Sequence, residues 1–519
     1  MHTAERGSLD DCFGCLTEPA LQLLDERLGK VASLGPHERQ ALVAGTAAGL
    51  ADTVRRKVSR VLLLELNAAR EAGTLTASDS PGRWQEFIKR ASAIDFWQSL
   101  KEYYPTLLDR LDIVIGRRCA ASIELGERFA ADRQVITELT GQPVLLDAVT
   151  FGAGDSHRGG RTVALLKLTA NTVVYKPRSL EIDKALDRLL RVVLPGQDGI
   201  RVPQVRTRAG YGWAEFIEHR HCENESELGA YYTGLGHWLA IAKLLGATDL
   251  HAENLIACGP VPVVIDCETL FSPHPDAPAS GLGAAFDHAS AVLADTVMQS
   301  GLLPSRGVAL GWRGVDVSAA GALPGQQPLG QVPQIIGEGT DTAHLGFGPL
   351  PAMGTANQPS PEPQLRQHWP AVLAGFDDLT ARLLDLDQAG ALAGPLADFA
   401  GVEMRTVLRA TEAYAELSRM LWHPVSLHDE RPAVARAENL LVRQGELSAL
   451  APDDPAVVAA EVAELLVGDV PFFHTVPPSA GSSGRAGSST ACHTTWWRPP
   501  GSVGSTASWL SNARSSRRP

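Results

Sequence analysis

The apolar period of this chain changes near Val144, and that change most restricts what it can fold into. Before it, apolar residues recur at helical spacing: Leu21, Leu23, Leu24 and Leu28, then Leu42, Val43 and Leu50. After it come short β-rich runs separated by turn residues. Residues 144–146 and 149–151 read as a strand, and the Gly-rich loop 152–160 (GAGDSHRGG) follows. Residues 163–168 and 172–175 are two more strands around a Thr169-Ala170-Asn171 turn. Lys176 ends the last of them and Pro177 stops it. Ser179 is placed to cap a helix over 181–193. Residues 202–205 and 211–217 add two strands around an Arg208-Ala209-Gly210 turn. The order predicts an α+β fold, helical over its first 130 residues, with a small antiparallel sheet behind.

Within the helical region, 61–66 (VLLLEL) fits a buried helix or strand. The aromatic-rich stretch 96–111, broken by Pro105, reads as core. Residues 218–222 read as a hinge to a second lobe, and a helix over 227–245 with Ser226 as N-cap follows. Residues 271–365 are rich in Gly, Pro and Ala, which suits either a lid or a variable surface. Helices are expected at 369–386, 412–422, 438–450 and 456–466, with a strand over 402–411.

Composition narrows the class. The chain has 519 residues, 44% hydrophobic and 20% charged, which is ordinary for a globular protein with a large core. Its net charge of -13 argues against a general nucleic-acid binder, which needs Lys and Arg for phosphate. The seven cysteines are sparse, with no secretory signal before them, so a reducing cytoplasm is expected. Cys12 and Cys15 form one CxxC, a weak metal signal without a second pair. No apolar run is long enough for a transmembrane helix. Residues 477–519 contain Arg485, Arg498, Arg514, Arg517 and Arg518 but no Asp, Glu or Lys. They read as a disordered tail or, better, as translation out of the original frame.

The chemistry concentrates in 249–270, DLHAENLIACGPVPVVIDCETL. Asp249, His251 and Asn254 precede an apolar run, and Asp266 ends it 12 residues after the Asn. Protein kinases space a catalytic Asp, an Asn and a second Asp on the next strand in this way to hold Mg²⁺ against phosphate. Asp249 is the candidate base. Asn254 and Asp266 are candidate Mg²⁺ ligands, hard oxygen donors for a hard cation. His251 would position the base, touch phosphate or simply pack, and Glu268 would lie just outside the ligands. Lys176 at its strand end suits the α/β-phosphates. Gly152 and Gly154 let backbone approach phosphate, and Asp155 and His157 would reach the nucleotide. As a strand, 403–411 would put Arg405, Val407, Arg409 and Thr411 on one face, a phosphate site or an exposed basic face.

Four strings, GDSHRGGR (154–161), VVYKPRSL (173–180), TDLHAENLIACGPVPVVIDCETLF (248–271) and MRTVLRATEAY (404–414), resemble the N-terminal dehydratase domain of type 2 lanthipeptide synthetases, the LanM family. The resemblance covers most of 80–475. It implies a two-lobed, kinase-like fold of the lipid-kinase type with a helical N-terminal addition and loop-rich insertions. The implied boundaries are 1–130 for the helical region, 131–218 for the small lobe, 219–475 for the large lobe and 476–519 for the aberrant tail. It implies that Mg·ATP phosphorylates Ser and Thr of a ribosomal precursor peptide, leader plus core. Phosphate is then eliminated to give dehydroalanine or dehydrobutyrine. Lys176, Asp249, His251, Asn254 and Asp266 would serve phosphorylation, with Asp155 and His157 beside the nucleotide. Arg405 and Thr411 would serve elimination. Ala410 stands where the family often has Pro. Full-length members continue into a zinc cyclase, so here dehydration without ring closure, and no zinc, is expected. An ordinary kinase-like phosphotransferase, or an inactive truncated remnant that binds the precursor, are the alternatives.

Overall fold

The structure is a computed structural model describing residues 7–196, 199–272, 281–294, 296–305, 315–321, 331–349, 356–362, 365–446 and 451–476. The tail reading, with Cys492 in it, lies outside these residues. The first part is helical: α1 (Gly14–Leu28), α2 (Pro36–Glu71), α3 (Ser80–Ala91), α4 (Ile94–Ser99), α5 (Leu107–Ala131) and α6 (Arg133–Thr140). Residues 61–66 lie inside α2, so that ambiguity resolves to helix. Pro105 sits in the break before α5. Asp79 caps α3, accepting from Gly82 N at 2.9 Å.

The sheet follows with β1 (Leu146–Phe151), β2 (Ala164–Leu168) and β3 (Thr172–Lys176), then α7 (Glu181–Val193), β4 (Val205–Arg208) and β5 (Tyr211–Glu215). Its order is β1-β2-β3-β5-β4, antiparallel throughout. Both expected turns are present, the second with Gly210 at φ 79°. The strand expected at 202–205 begins only at Val205, because Pro203 has no N–H for a ladder. The expected Ser179 cap is instead a long 3.4 Å bond to Glu181 N, with Leu180 at the N-cap.

The chain continues through α8 (Glu225–Leu245), the hairpin β6 (Leu255–Cys258) and β7 (Val261–Val264), α9 (Ala284–Ala294), and the hairpin β8 (Gln331–Ile336) and β9 (His344–Pro349). Asn224, not Ser226, caps α8, because its side chain accepts from Glu227 N at 3.0 Å. Then come α10 (Leu365–Gln388), α11 (Ala393–Ala397), β10 (Met404–Thr406), α12 (Thr411–Leu421), α13 (Pro424–His428), α14 (Glu430–Glu446), α15 (Pro455–Leu466) and β11 (Phe473–Thr475), which pairs with β10. Within 271–365 the segment at Asp341 is tied to the helical region: buried Asp341 accepts from Arg83 Nε at 2.6 Å. No helix among the described residues is long and apolar enough to cross a membrane.

Two apolar cores form. One joins the N-terminal helices and the sheet to the C-terminal helices, through Trp84, Trp97, Phe129, Leu166, Trp213, Leu421 and Leu465. The other joins α7, α8, the β6–β7 hairpin and α10, through Leu189, Leu235, Trp238, Val264 and Leu379. Each such buried side chain contributes about 1.5–3 kcal/mol. A large cavity opens between the two, with lining residues drawn from both sets of elements.

Candidate active site

The cavity measures ≈ 1990 Å³, and all the residues singled out in the sequence line it: Gly152, Gly154, Asp155, His157, Lys176, Asp249, His251, Asn254, Asp266, Arg405 and Thr411. Lys176 comes from β3, which is flanked on both sides by hydrogen-bonded strands. It is buried, and its Nζ donates to Ile265 O at 2.6 Å, with Asp266 Oδ2 at 3.8 Å. The sheet thus fixes one side of the cavity and the residues leaving β7 fix the other.

Arg178, two residues beyond Lys176, is the member that sequence reading missed, although it lies within the VVYKPRSL string. Its guanidinium donates to Asp183 Oδ2 at 2.8 Å and Asp266 Oδ1 at 2.7 Å, and pairs with Glu268 Oε2 at 3.1 Å. Burial raises the Asp266 carboxyl, but Arg178, Lys176 and Arg405 outweigh it and hold it far below the usual range. Asp266 is therefore a fixed anion. Glu268 in turn accepts from Arg405 Nη1 at 2.5 Å. Charge alternates along Lys176, Asp266, Arg178, Glu268 and Arg405.

The Asp249 backbone is left-handed, φ 64°, a conformation Asp tolerates better than most residues and one that recurs at functional sites. Asn254 Nδ2 donates to Asp249 O at 2.7 Å, which leaves the amide oxygen out of that bond. His251 Nδ1 accepts from Glu253 N at 3.3 Å, and its Nε2 lies 3.4 Å from Asn254 Nδ2 and 3.6 Å from Asp249 Oδ1. Desolvation by the cavity walls raises the Asp249 carboxyl although 42% of its side chain stays exposed, and His251 and Arg405 oppose the rise. A carboxyl shifted in this direction is suited to exchange a proton.

The Gly-rich loop is clasped from outside. Val470 N donates to Ser156 O at 2.8 Å, and His157 Nδ1 bonds Val470 O at 2.7 Å. Asp469, buried, accepts from Gly159 N at 2.8 Å, Gly160 N at 3.0 Å, Arg117 Nη1 at 3.1 Å and Ser156 Oγ. Gly152 has φ 84° and nothing near the position of a side chain, so its backbone is open to a ligand. Burial, then Arg405, lowers the His157 pKa and keeps the ring neutral. Its Nδ1–H is spent on Val470 O, which leaves a lone pair on Nε2.

The expected single face over 403–411 does not form. Only Met404–Thr406 is strand, and Thr411 opens α12. Arg409 turns away: its side chain is fully buried, with Nε donating to Glu461 Oε1 at 2.8 Å and Nη1 to Leu441 O at 2.8 Å. All three residues border the cavity, but Arg409 spends its guanidinium on bracing the C-terminal helices.

The residues fit Mg²⁺ and a nucleotide: an ionised carboxylate, an amide oxygen, a buried ammonium and an open glycine loop. Among the described residues, no three His, Cys, Asp or Glu converge as a ready metal cluster.

Comparison with known proteins adds two findings. Residues 104–476 match the family described as Domain of unknown function (DUF4135). A stretch of 276 residues is 24% identical to the Lacticin 481/lactococcin biosynthesis protein LcnDR2 of Lactococcus lactis subsp. lactis. That stretch is 50% of this chain and only 29% of the relative.

Proposed function

This chain belongs to the family described as Domain of unknown function (DUF4135), and from that premise we propose that it phosphorylates Ser and Thr of a precursor peptide with Mg·ATP and eliminates the phosphate. The supporting observation is that one cavity gathers Lys176, Asp249, Asn254 and Asp266 together with Arg405 and Thr411. The lantibiotic-biosynthesis relative supports a peptide as the substrate. We read 131–218 and 219–475 as the small and large lobes of a kinase-like fold, facing each other across the cavity, behind the helical region. The need for ATP goes with a cytoplasmic location.

Asn254 and Asp266 would hold Mg²⁺, which neutralises phosphate charge when bound. Lys176 steadies the α/β-phosphates from the sheet side. Asp249 accepts the proton of the peptide hydroxyl, whose oxygen bonds to the γ-phosphorus as ADP leaves. In the second step His157 Nε2 takes the Cα proton, the Cα–Cβ double bond forms and the Cβ–O bond breaks. Arg405 meets the charge on the departing phosphate, with Thr411 beside it. A specific observation favours a second reading, phosphorylation alone: Arg405 is already engaged by Glu268.

Mass spectrometry of a cognate precursor after incubation with Mg·ATP tests the proposal. Loss of one water per modified Ser or Thr is expected. Gain of phosphate without that loss, or no change, would overturn it.

A further inference from the structure

We propose that Lys57 of α2 and Arg118 of α5 form a second phosphate-binding site on the helical wall of the cavity. This does not depend on the reaction proposed above. Both residues line the cavity. They flank the segment at Gly468 and Asp469. A side chain at Gly468 would lie 2.9 Å from Lys57 Nζ, one at Gly160 would meet the Arg118 backbone at 3.0 Å, and the Arg118 guanidinium feels the Asp469 carboxylate. Among the described residues neither cation forms an ion pair of its own, and the carboxylate that acts on both is Asp469. Asp469 already accepts from Ser156, the N–H groups of Gly159 and Gly160, and Arg117, which fills its lone pairs. The neighbouring Arg56 is paired with Asp52 at 2.5 Å.

What Lys57 and Arg118 meet instead are aromatic faces. Lys57 Nζ lies 4.3 Å from the Trp422 ring centre, and the Arg118 guanidinium 5.6 Å from that of Phe151. Arg118 is 8% exposed, and its Nη1 is buried with no hydrogen-bond partner among the described residues. Burial first, then Arg56, pushes the Lys57 ammonium down to about 8 against the opposing pull of Asp469. An ammonium and a guanidinium fork with free donors suit a phosphate oxyanion. The site lies at one end of a track. Thr411, Ala415 and Ser418 share one face of α12 along the cavity and Trp422 follows at its end, a span of about 16 Å at 1.5 Å per residue. The phosphate is a free ion or is carried on a peptide Ser or Thr; the recognising chemistry is the same.

The test is thermal unfolding of the full chain in chloride buffer with inorganic phosphate added. A saturable rise in Tm is expected. Lys57→Met and Arg118→Met should each abolish the rise, while Lys176→Met keeps it. Each variant is read against its own Tm in chloride buffer, so stability lost with the aromatic contact does not enter the comparison. If Arg118→Met fails to fold, Lys57→Met decides alone. No rise in wild type, or an undiminished rise in Lys57→Met, overturns the site. A Lys57-dependent rise with a phosphoserine peptide, absent with its unphosphorylated twin, identifies the peptide-borne source. A rise confined to inorganic phosphate identifies the free ion. Failure of the dehydration assay leaves each of these results readable.

Discussion

Arg405 holds Glu268 twice. Its Nη1 donates to Oε1 at 2.5 Å, and its backbone N–H donates to the Glu268 carbonyl at 2.8 Å. The side-chain contact sets the guanidinium, and the backbone contact sets the strand that carries it. Because Glu268 also pairs with Arg178 and Arg178 bonds Asp266, the β7 exit and the β10 strand share one charge chain. The proposed phosphorylation and elimination groups are therefore mechanically joined, and a phosphate entering the cavity competes with Glu268 for Arg405.

Arg405→Ala is expected to leave phosphorylation running and to accumulate phosphopeptide. Loss of one preorganised donor to a developing anion costs about 10²–10³-fold in rate. Arg405→Lys should recover part of this, since an ammonium supplies charge without the fork. Single-turnover mass spectrometry follows both species. If Arg405→Ala slows phosphate transfer and no intermediate builds up, the protein is a kinase alone.

Arg409, four residues on, should behave differently. It forms a fully buried pair with Glu461 and also donates to two carbonyls. Glu461→Ala strands a buried guanidinium, at a cost of roughly 3–5 kcal/mol. Denaturant unfolding should record that loss. The ratio of phosphopeptide to dehydrated product in the folded fraction should not move, whereas a catalytic Arg409 would shift it.

These two arginines show where the sequence was legible. Lys176, Asp249, Asn254 and Asp266 could be read because strand ends and turn spacings are local, and the apolar runs around them set the period. The α+β order and both hairpin turns follow from the same patterns. Arg405 and Arg409 could not be separated, because the strand period assumed for 403–411 stops at Thr406. Their different fates depend on Glu268 and Glu461, each more than 50 residues away in sequence. Arg178 carried a weak signal, a second cation two residues after Lys176. Asp469 carried none: an Asp in a Gly-Asp-Val turn becomes an anchor only once the loop folds onto it.

Asp249 gives a pH prediction. Burial raises its carboxyl above the ordinary 3.8, against the opposing pull of His251 and Arg405. As a base it must be ionised, so phosphorylation should decline as pH falls through this raised value. The stability effect has the opposite sign. A carboxyl raised in the folded state binds its proton more tightly there, so stability drops as pH rises from the ordinary value through the raised one. Asp249→Asn should lack that drop. Because 42% of the Asp249 side chain stays exposed, the Tm difference at neutral pH should be small while phosphate transfer is lost, and transfer that survives in the variant would refute the assigned base.

The α8–α10 crossing is a packing test free of the chemistry. Gly236 sits where any Cβ would be driven into the Val372 carbonyl, and Gly375 where one would be driven into Thr233 O. The two backbones touch because neither residue has a side chain. Gly236→Ala and Gly375→Ala should each be destabilised by about 1–3 kcal/mol or more, despite the better helix propensity of Ala. In the double variant the costs should be less than additive, since one separation of the helices relieves both. Urea unfolding of the singles and the double measures this.

Asp469 is a positioning residue, since it touches the loop and not the reacting atoms. Its carboxylate accepts the N–H groups of Gly159 and Gly160 and the Arg117 guanidinium. The neighbouring Val470 carbonyl fixes the His157 ring. Asp469→Asn keeps the shape but turns one acceptor into a donor facing N–H groups, at about 1–3 kcal/mol for the group left unsatisfied. A purely structural loss would lower Tm and leave KM for ATP unchanged in the protein that remains folded. A loop held in place for nucleotide and base should do more. We expect KM for ATP to rise and the elimination rate to fall, while Asp469→Glu, which retains both acceptor oxygens, recovers part of each. An Asn variant with lowered Tm and wild-type KM would confine Asp469 to folding.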